Sequence, residues 1–284
     1  MWNSIPIRGK VRDVYYSSRD DSDKVLLVAT NRISAFDQSW GEVEGKGVVL
    51  NYISQWWFRQ LEKEKWANEI RLKSHYLEQS GDRGMICRRC EVIPIEFVVR
   101  RYLTGSSSTS ILTHYKKGER NYCGHSLPDG LKDHQKLPHD IVTPTTKGDK
   151  DIPTTGEEIV EKAILTRDEW KWCEQASLEL FKWGARISHQ KGLILVDTKY
   201  EFGRDTNTGE IILIDELHTP DSSRFWIESS YQERIDQGNT PDNLNKEFLR
   251  LWIKSNKHSL SDTLPNEVIQ EVKNRYQTFL KLFV

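Results

Sequence analysis

Between residues 191 and 226 the chain reads KGLILVDTKYEFGRDTNTGEIILIDELHTPDSSRFW, and this run restricts the fold more than any other. Residues 193–202 alternate with the period of a strand. Ile194, Val196, Thr198, Tyr200 and Phe202 make the face expected against a core, and Leu193, Leu195, Asp197, Lys199 and Glu201 share the other. Turn formers over 203–209 separate this strand from a second apolar one, 211–214, which runs into Asp215 and Glu216. The run therefore predicts a β-hairpin with a longer loop. Charges beside buried strands are costly unless other charges or a metal offset them. In one reading Glu201 and Asp215 are hard oxygen ligands on adjacent strands, with Lys199 nearby for anionic oxygens, which suits Mg2+ with a nucleotide. In the other they are solvated strand ends held in salt bridges. The residues alone leave both open.

A chain of 284 residues suits one large domain or two lobes and can bury a real core. With 37% apolar and 29% charged residues it is not a disordered polar chain. A net charge of −1, spread evenly, gives no polyanion-binding surface, so nucleic acid is not expected as a partner. The N-terminus lacks the apolar run of a signal peptide, and no window approaches the roughly 18 apolar residues of a membrane span. A cytoplasmic protein without membrane association is expected, and homo-oligomerisation is left open. Cys87 and Cys90 form a C-x-x-C, but Cys123 and Cys173 make no second pair, so structural thiols are expected over a metal or redox centre.

Taken in order, residues 8–16 form a short strand or a turn, and in a strand Lys10 and Arg12 would share a face; a polar turn over 20–24 and a strand over 25–30 follow. A short polar run ends at Asp37, and Ile53, Trp56, Trp57 and Leu61 then fall at amphipathic-helix spacing. Residues 86–99 alternate as a strand that Pro94 bends or pushes to an edge, a shape suited to joining two lobes. Arg100 and Arg101 precede YLTGSSSTS, which is an anion nest or a plain polar turn. Prolines and glycines over 116–156 predict a long loop, where His139 is a surface residue. A short helix follows a Thr155 cap. Thr166 with Glu169 forms a capping box for a helix that Gly192 ends. Pro241 opens a helix in which Lys246 and Arg250 share a face, and Pro265 opens the last one. The class is α+β with a β-rich first third.

The segments GKVRDVYY, ATNRISAFD, KGVVLNYISQWWF, CEVIPIEFVVRRYLTGS, TPTTKG, LVDTKYEFG, IDELHTPDSSRFW and NKEFLRLW together resemble the phosphoribosylaminoimidazole-succinocarboxamide synthase (SAICAR synthetase) family. They span Arg8 to Trp252 in the family's order. The resemblance implies a two-lobed fold related to ATP-grasp and kinase-like nucleotide binders, with a β-rich lobe over 1–91, a mixed lobe over 92–284, and ATP between them. It implies an ATP-dependent ligase that joins a carboxyaminoimidazole ribotide to L-aspartate. By motif, Lys10, Arg12 and Lys199 would meet ATP phosphates, and Glu91 and Val92 the adenine. Glu201 and Asp215 would hold Mg2+. Arg100, Ser106 and Arg224 would grip the ribotide phosphate, while Asp37, Lys246 and Arg250 would line the substrate pocket. Lys199, Asp37 and Glu247 are the candidate catalytic residues, the last two as acceptors of the amine proton, with bound phosphate as another.

Two departures stand out: Asn245 where the family commonly has Asp, and the loop after Lys147, in which Asp151 takes an aspartate's place weakly. A small-molecule kinase on a similar scaffold would share Lys199, Glu201 and Asp215. It would not need two anion-binding sets, here Arg100, Ser106 and Arg224, and Lys246 with Arg250. A non-catalytic nucleotide binder would tolerate loss of the metal acids.

Overall fold

In a computed structural model the protein is described at every residue except Met1, 18–22, Asp37, 149–150, 257–262 and Val284. It divides into two units: residues 1–92, 203–221 and 244–284 form the first, and residues 93–202 and 222–243 the second.

The first unit begins with β1 (Ile7–Arg8), β2 (Arg12–Tyr16) and β3 (Lys24–Ala29), then the pair β4 (Arg32–Ala35) and β5 (Gln38–Glu42). Helices α1 (Lys46–Leu61) and α2 (Lys65–Glu69) precede β6 (Tyr76–Ser80) and β7 (Gly84–Arg88). An antiparallel sheet runs in the order β1-β2-β3-β7-β6. Val25, Leu27 and Ala29 of β3 are buried at alternate positions, the side-chain period of a strand. Two glycines seat α1 for different reasons. Gly45, the N-cap, has φ 81°, a left-handed conformation that costs glycine nothing. At Gly47 a Cβ would lie 2.6 Å from the Ala29 carbonyl oxygen, so only a bare Cα fits against β3. From there Val49, Leu50, Ile53, Trp57, Phe58 and Leu61 face inward.

β8 (Cys90–Tyr102) carries the chain into the second unit, the division falling at Val92 and Ile93. Pro94 leaves this 13-residue strand continuous. Next come α3 (Ile111–Lys116), β9 (Asn121–Tyr122), β10 (His125–Ser126), β11 (Lys136–Thr146) and β12 (Ile152–Pro153). They are followed by α4 (Gly156–Glu161), α5 (Arg167–His189) and β13 (Leu193–Asp205). Thr155 and Thr166 both cap their helices, with Glu158 and Glu169 completing reciprocal capping boxes.

β14 (Ile211–Ile214) belongs to the first unit, and the Asp205 amide donates to the Glu210 carbonyl at 2.9 Å to close the hairpin turn. β15 (Ser223–Ile227) pairs with β13, and α6 (Glu228–Asp236) follows. α7 (Glu247–Ser255) and α8 (Asn266–Phe283) complete the first unit. In the second unit β11 pairs antiparallel with β8 and β12.

Several sequence expectations change. The loop expected over 116–156 holds an 11-residue strand, β11, because Ile141, Val142 and Thr143 find a core under β8 despite prolines at 138 and 144. The apolar face of β13 is not the only buried one: Leu193, Leu195, Asp197 and Glu201 are buried too, as in a strand covered on both sides. β13 also runs to Asp205, past the expected turn at 203. The helix expected from Pro241 begins only at Glu247, since the Ile227 amide donates to the Asp242 carbonyl and holds this stretch extended. α6 was not anticipated. The polar turn over 20–24 falls largely outside the described residues.

The units are discontinuous, unlike the two successive lobes expected at 1–91 and 92–284. Residues 244–284 return to the first unit because α8 lays Phe283 against Trp56 and Trp57 of α1, with ring centroids 5.2 and 5.4 Å apart. Long-range packing of this kind leaves no local period. No helix among the described residues is long and apolar enough to cross a membrane.

Candidate active site

In the second unit one carboxylate gathers two guanidiniums. Arg224 donates to Asp197 Oδ2 at 2.5 Å and Arg100 donates to the same oxygen at 3.3 Å. Arg100 also donates through Nε to Thr143 Oγ1 at 2.8 Å. The register that pairs Asp197 with Arg224 across β13 and β15 brings the two together. Buried Arg100 and half-buried Arg224 share one anion, so the cluster carries excess positive charge that a further anion would balance. Beside it Ser106 is buried and its hydroxyl has no hydrogen-bond partner. Gly105 has φ 120°, and a Cβ there would lie 2.5 Å from Ser110 Cβ and 3.4 Å from Arg224 Nη2. The loop passes the arginine closely because residue 105 has no side chain.

Farther along the same face of β13, Lys199 Nζ lies 2.5 Å from Glu201 Oε1 and 3.0 Å from Glu96 Oε1. Lys147 pairs with the other Glu201 oxygen. The register of β11 on β8 sets Thr145 opposite Glu96, and Lys147 donates its amide to the Pro94 carbonyl, so Lys147 arrives beside β8. Burial alone would push the Glu201 carboxyl up, but Lys199 and Lys147 outweigh it and hold the group down at about 2. It is an ionised hard-oxygen donor flanked by ammonium groups.

In the first unit Arg12 donates to Glu216 at 2.7 Å and lies 3.4 Å from Asp215. Thr219 also donates to Glu216, at 2.5 Å. Asp215 stands at φ 66° where the chain leaves β14. Asp221 forms a second knot: Lys46 Nζ is 2.8 Å and Lys246 Nζ 3.7 Å from its Oδ2, and the Tyr276 hydroxyl donates to Oδ1. Arg250 pairs with Glu247 at 3.1 Å, one turn along α7. His218 is sealed against Trp57, and burial pulls its imidazole down to about 3, so it stays neutral and is no base.

The structure thus unites Arg100 with Arg224 in one cluster and Lys199 with Glu201 in another, and Ser106 follows Gly105, the residue that passes Arg224. Arg12 is buried in an ion pair with two acids. Lys10, Glu91 and Val92 are exposed on the first unit, and Asp37 lies outside the described residues. Lys246, Glu247 and Arg250 sit at the start of α7, with Asn245 buried just before it. Asp197, Glu96, Thr143, Lys147, Lys46, Glu216, Asp221 and Tyr276 were not singled out as site residues. For Asp197 a signal existed: it shares the strand face of Lys199 and Glu201 at a spacing of two. The thiols of Cys90 and Cys123 are pushed up by burial to about 12 and about 11 and stay protonated. No group of three metal-ligating side chains occurs among the described residues.

Residues 6–267 match the SAICAR synthetase family profile. A relative from Arabidopsis thaliana, the chloroplastic phosphoribosylaminoimidazole-succinocarboxamide synthase, is 47% identical over 276 residues, covering 95% of this chain. The chain spans 64% of that relative's length. Among solved structures, SAICAR synthase from Saccharomyces cerevisiae complexed with SAICAR superposes with TM-score 0.79 at 30% identity, covering 98% of this chain and 93% of the other. A type-2 SAICAR synthetase in complex with ADP gives TM-score 0.69 at 26% identity, covering 96% and 98%.

Proposed function

This chain belongs to the SAICAR synthetase family, and from that premise we propose that it is the ATP-dependent ligase of purine biosynthesis that joins a carboxyaminoimidazole ribotide to L-aspartate. The products are the succinocarboxamide ribotide, ADP and phosphate. The kinship with ATP-grasp and kinase-like nucleotide binders and a cytoplasmic location belong to the same proposal.

One observation carries the reading: Asp197, Lys199 and Glu201 lie at alternate positions on one face of β13, with an anion-seeking cluster at one end and an ammonium–carboxylate cluster at the other. Neighbouring side chains on such a face are about 7 Å apart. A phosphorylated substrate held by Arg100, Arg224 and the idle Ser106 hydroxyl can therefore present a second group to Lys199 and Lys147. The excess positive charge of the Asp197 cluster suits a dianionic phosphate, which accepts bidentate bonds from arginine.

The chemistry needs no protein nucleophile. A substrate carboxylate oxygen attacks the γ-phosphorus of ATP, the bond to ADP breaks, and an acyl phosphate forms. The aspartate nitrogen then attacks the acyl carbon and phosphate departs. Negative charge spreads over the transferred oxygens, where Lys199 and Lys147 act as fixed cations. The donors present fit Mg2+, since Glu201 is an ionised hard-oxygen ligand. Glu201 would hold it, and it would neutralise phosphate charge. Arg12, through its ion pairs, positions Asp215. Lys10 is proposed at the phosphates, Glu91 and Val92 at the adenine, and Arg250 at an aspartate carboxylate.

The test is ADP formation with ATP, Mg2+ and the carboxylated ribotide, with and without L-aspartate, by wild type and Glu201→Ala. Aspartate-dependent turnover with an amide product, lost in the variant, supports the reading. ADP made equally well without aspartate overturns the ligase in favour of a kinase.

A further inference from the structure

The aspartate nucleophile enters as an ammonium ion and has no lone pair until it loses a proton. Of the acceptors considered from sequence, Glu247 is buried and engaged by Arg250. Lys246, at the N-terminal end of the same helix, is built differently. Its ammonium lies 3.7 Å from Asp221 Oδ2, but Lys46 occupies that oxygen at 2.8 Å and Tyr276 takes Oδ1. Lys246 is therefore the second cation on an anion whose charge is already shared. Arg250, one turn along α7, adds like charge, and Glu216 gives partial relief. Residues four apart on a helix lie about 5–6 Å from one another. An amino acid whose carboxylate pairs with Arg250 thus brings its nitrogen within reach of Lys246.

We propose that Lys246, as the free amine, accepts the proton that L-aspartate's ammonium must lose before its nitrogen attacks the acyl phosphate. This rests on the ligase reading above. An N–H bond of the ammonium breaks and one forms on Nζ. The freed lone pair then makes the C–N bond as the C–O bond to phosphate breaks, and the second amine proton leaves on the phosphate. Nζ then returns that proton to solvent before the next turnover. Burial, with Arg250 and Lys46 adding to it and Asp221 opposing, brings this lysine from 10.5 down to about 8, so its basic form is populated near neutral pH.

The experiment measures kcat against pH with saturating aspartate for wild type, Lys246→Arg and Asp221→Asn. Hydroxylamine, a nucleophile already neutral at pH 7, serves as the comparison. In the wild type kcat rises through a limb near pH 8. Lys246→Arg keeps the charge but cannot release its proton. It lowers kcat with aspartate about 10²-fold, the scale of general-base catalysis, and removes the limb. Its loss with hydroxylamine is at least about tenfold smaller. Asp221→Asn removes the anion that supports protonated Lys246, so its limb moves to lower pH; this arm holds if arginine is not accommodated at 246. Equal losses with both nucleophiles, a change in KM without one in kcat, or a limb unmoved in both variants overturns the assignment. A wild type that forms no amide from aspartate overturns the ligase reading instead.

Discussion

Arg12 donates to Glu216 at 2.7 Å with 8% and 7% of the two side chains exposed, so a cation expected from sequence to meet phosphates is committed to a buried ion pair. Glu216 holds the guanidinium more strongly charged than usual despite its burial, and Arg12 in turn holds the Glu216 carboxyl down. Removing one member of such a pair leaves the other charged, desolvated and without its counter-ion. Arg12→Met is expected to lose about 3–5 kcal/mol of stability. Arg12→Met with Glu216→Leu should lose less than the sum of the single changes. Denaturant unfolding of the three variants measures this. A single variant that loses under about 1 kcal/mol while the KM for ATP rises sharply would make Arg12 a phosphate contact after all.

Ser106 offers a test in which stability and binding separate. Its buried hydroxyl has no partner, and a buried polar group left unsatisfied costs about 1–3 kcal/mol. Ser106→Ala should therefore be neutral or stabilising in the free protein by thermal unfolding. The same change should weaken ribotide binding by about tenfold, the worth of one hydrogen bond to a charged group. A hydroxyl with a purely structural role would lower both together.

Tyr276 ties α8 to Asp221, whose carboxyl is held low against its own burial by Lys246, Lys46 and this hydroxyl. Tyr276→Phe removes one donor and leaves the ring packing, so a loss of about 1.5–3 kcal/mol is expected, as for a hydrogen bond to a charged group. The kcat–pH limb of aspartate-dependent turnover should move upward at the same time, because Asp221 then bears more uncompensated charge beside Lys246. Unfolding curves and the pH profile check the two halves separately.

What the sequence revealed follows the range of the forces involved. Period-two and capping patterns are local, so β13, β14, the Thr155 and Thr166 caps and the face shared by Lys199 and Glu201 were legible. β11 was hidden because Pro138 and Pro144 mimic loop chemistry, while the burial that makes it a strand comes from β8, some 40 residues earlier. The pairing of Arg100 with Asp197 spans 97 residues, and that of Arg12 with Glu216 spans 204. No spacing rule reaches so far. Motif resemblance named Arg100 and Arg224 without the carboxylate that aligns them. The discontinuous first unit was hidden for the same reason, since it depends on where Phe283 and Tyr276 land.

The Glu201 carboxyl gives a prediction whose sign can be worked through. Its folded value, about 2, lies below its ordinary 4.5, so between these pH values the unfolded chain binds more protons than the folded one. Stability from this group is complete above about pH 4.5 and is lost as pH falls toward 2. The shift corresponds to on the order of 3 kcal/mol. Glu201→Gln removes that contribution and leaves Lys199 and Lys147 facing each other without the shared anion. The variant should unfold well below wild type at pH 7, and the gap should narrow as pH falls from about 4.5 toward 2. If the difference in Tm were the same at pH 7 and pH 3, Glu201 would be acting through shape rather than charge. Wild-type stability should also respond to Lys147→Met, which strips one of the two cations, with a smaller loss and the same pH dependence.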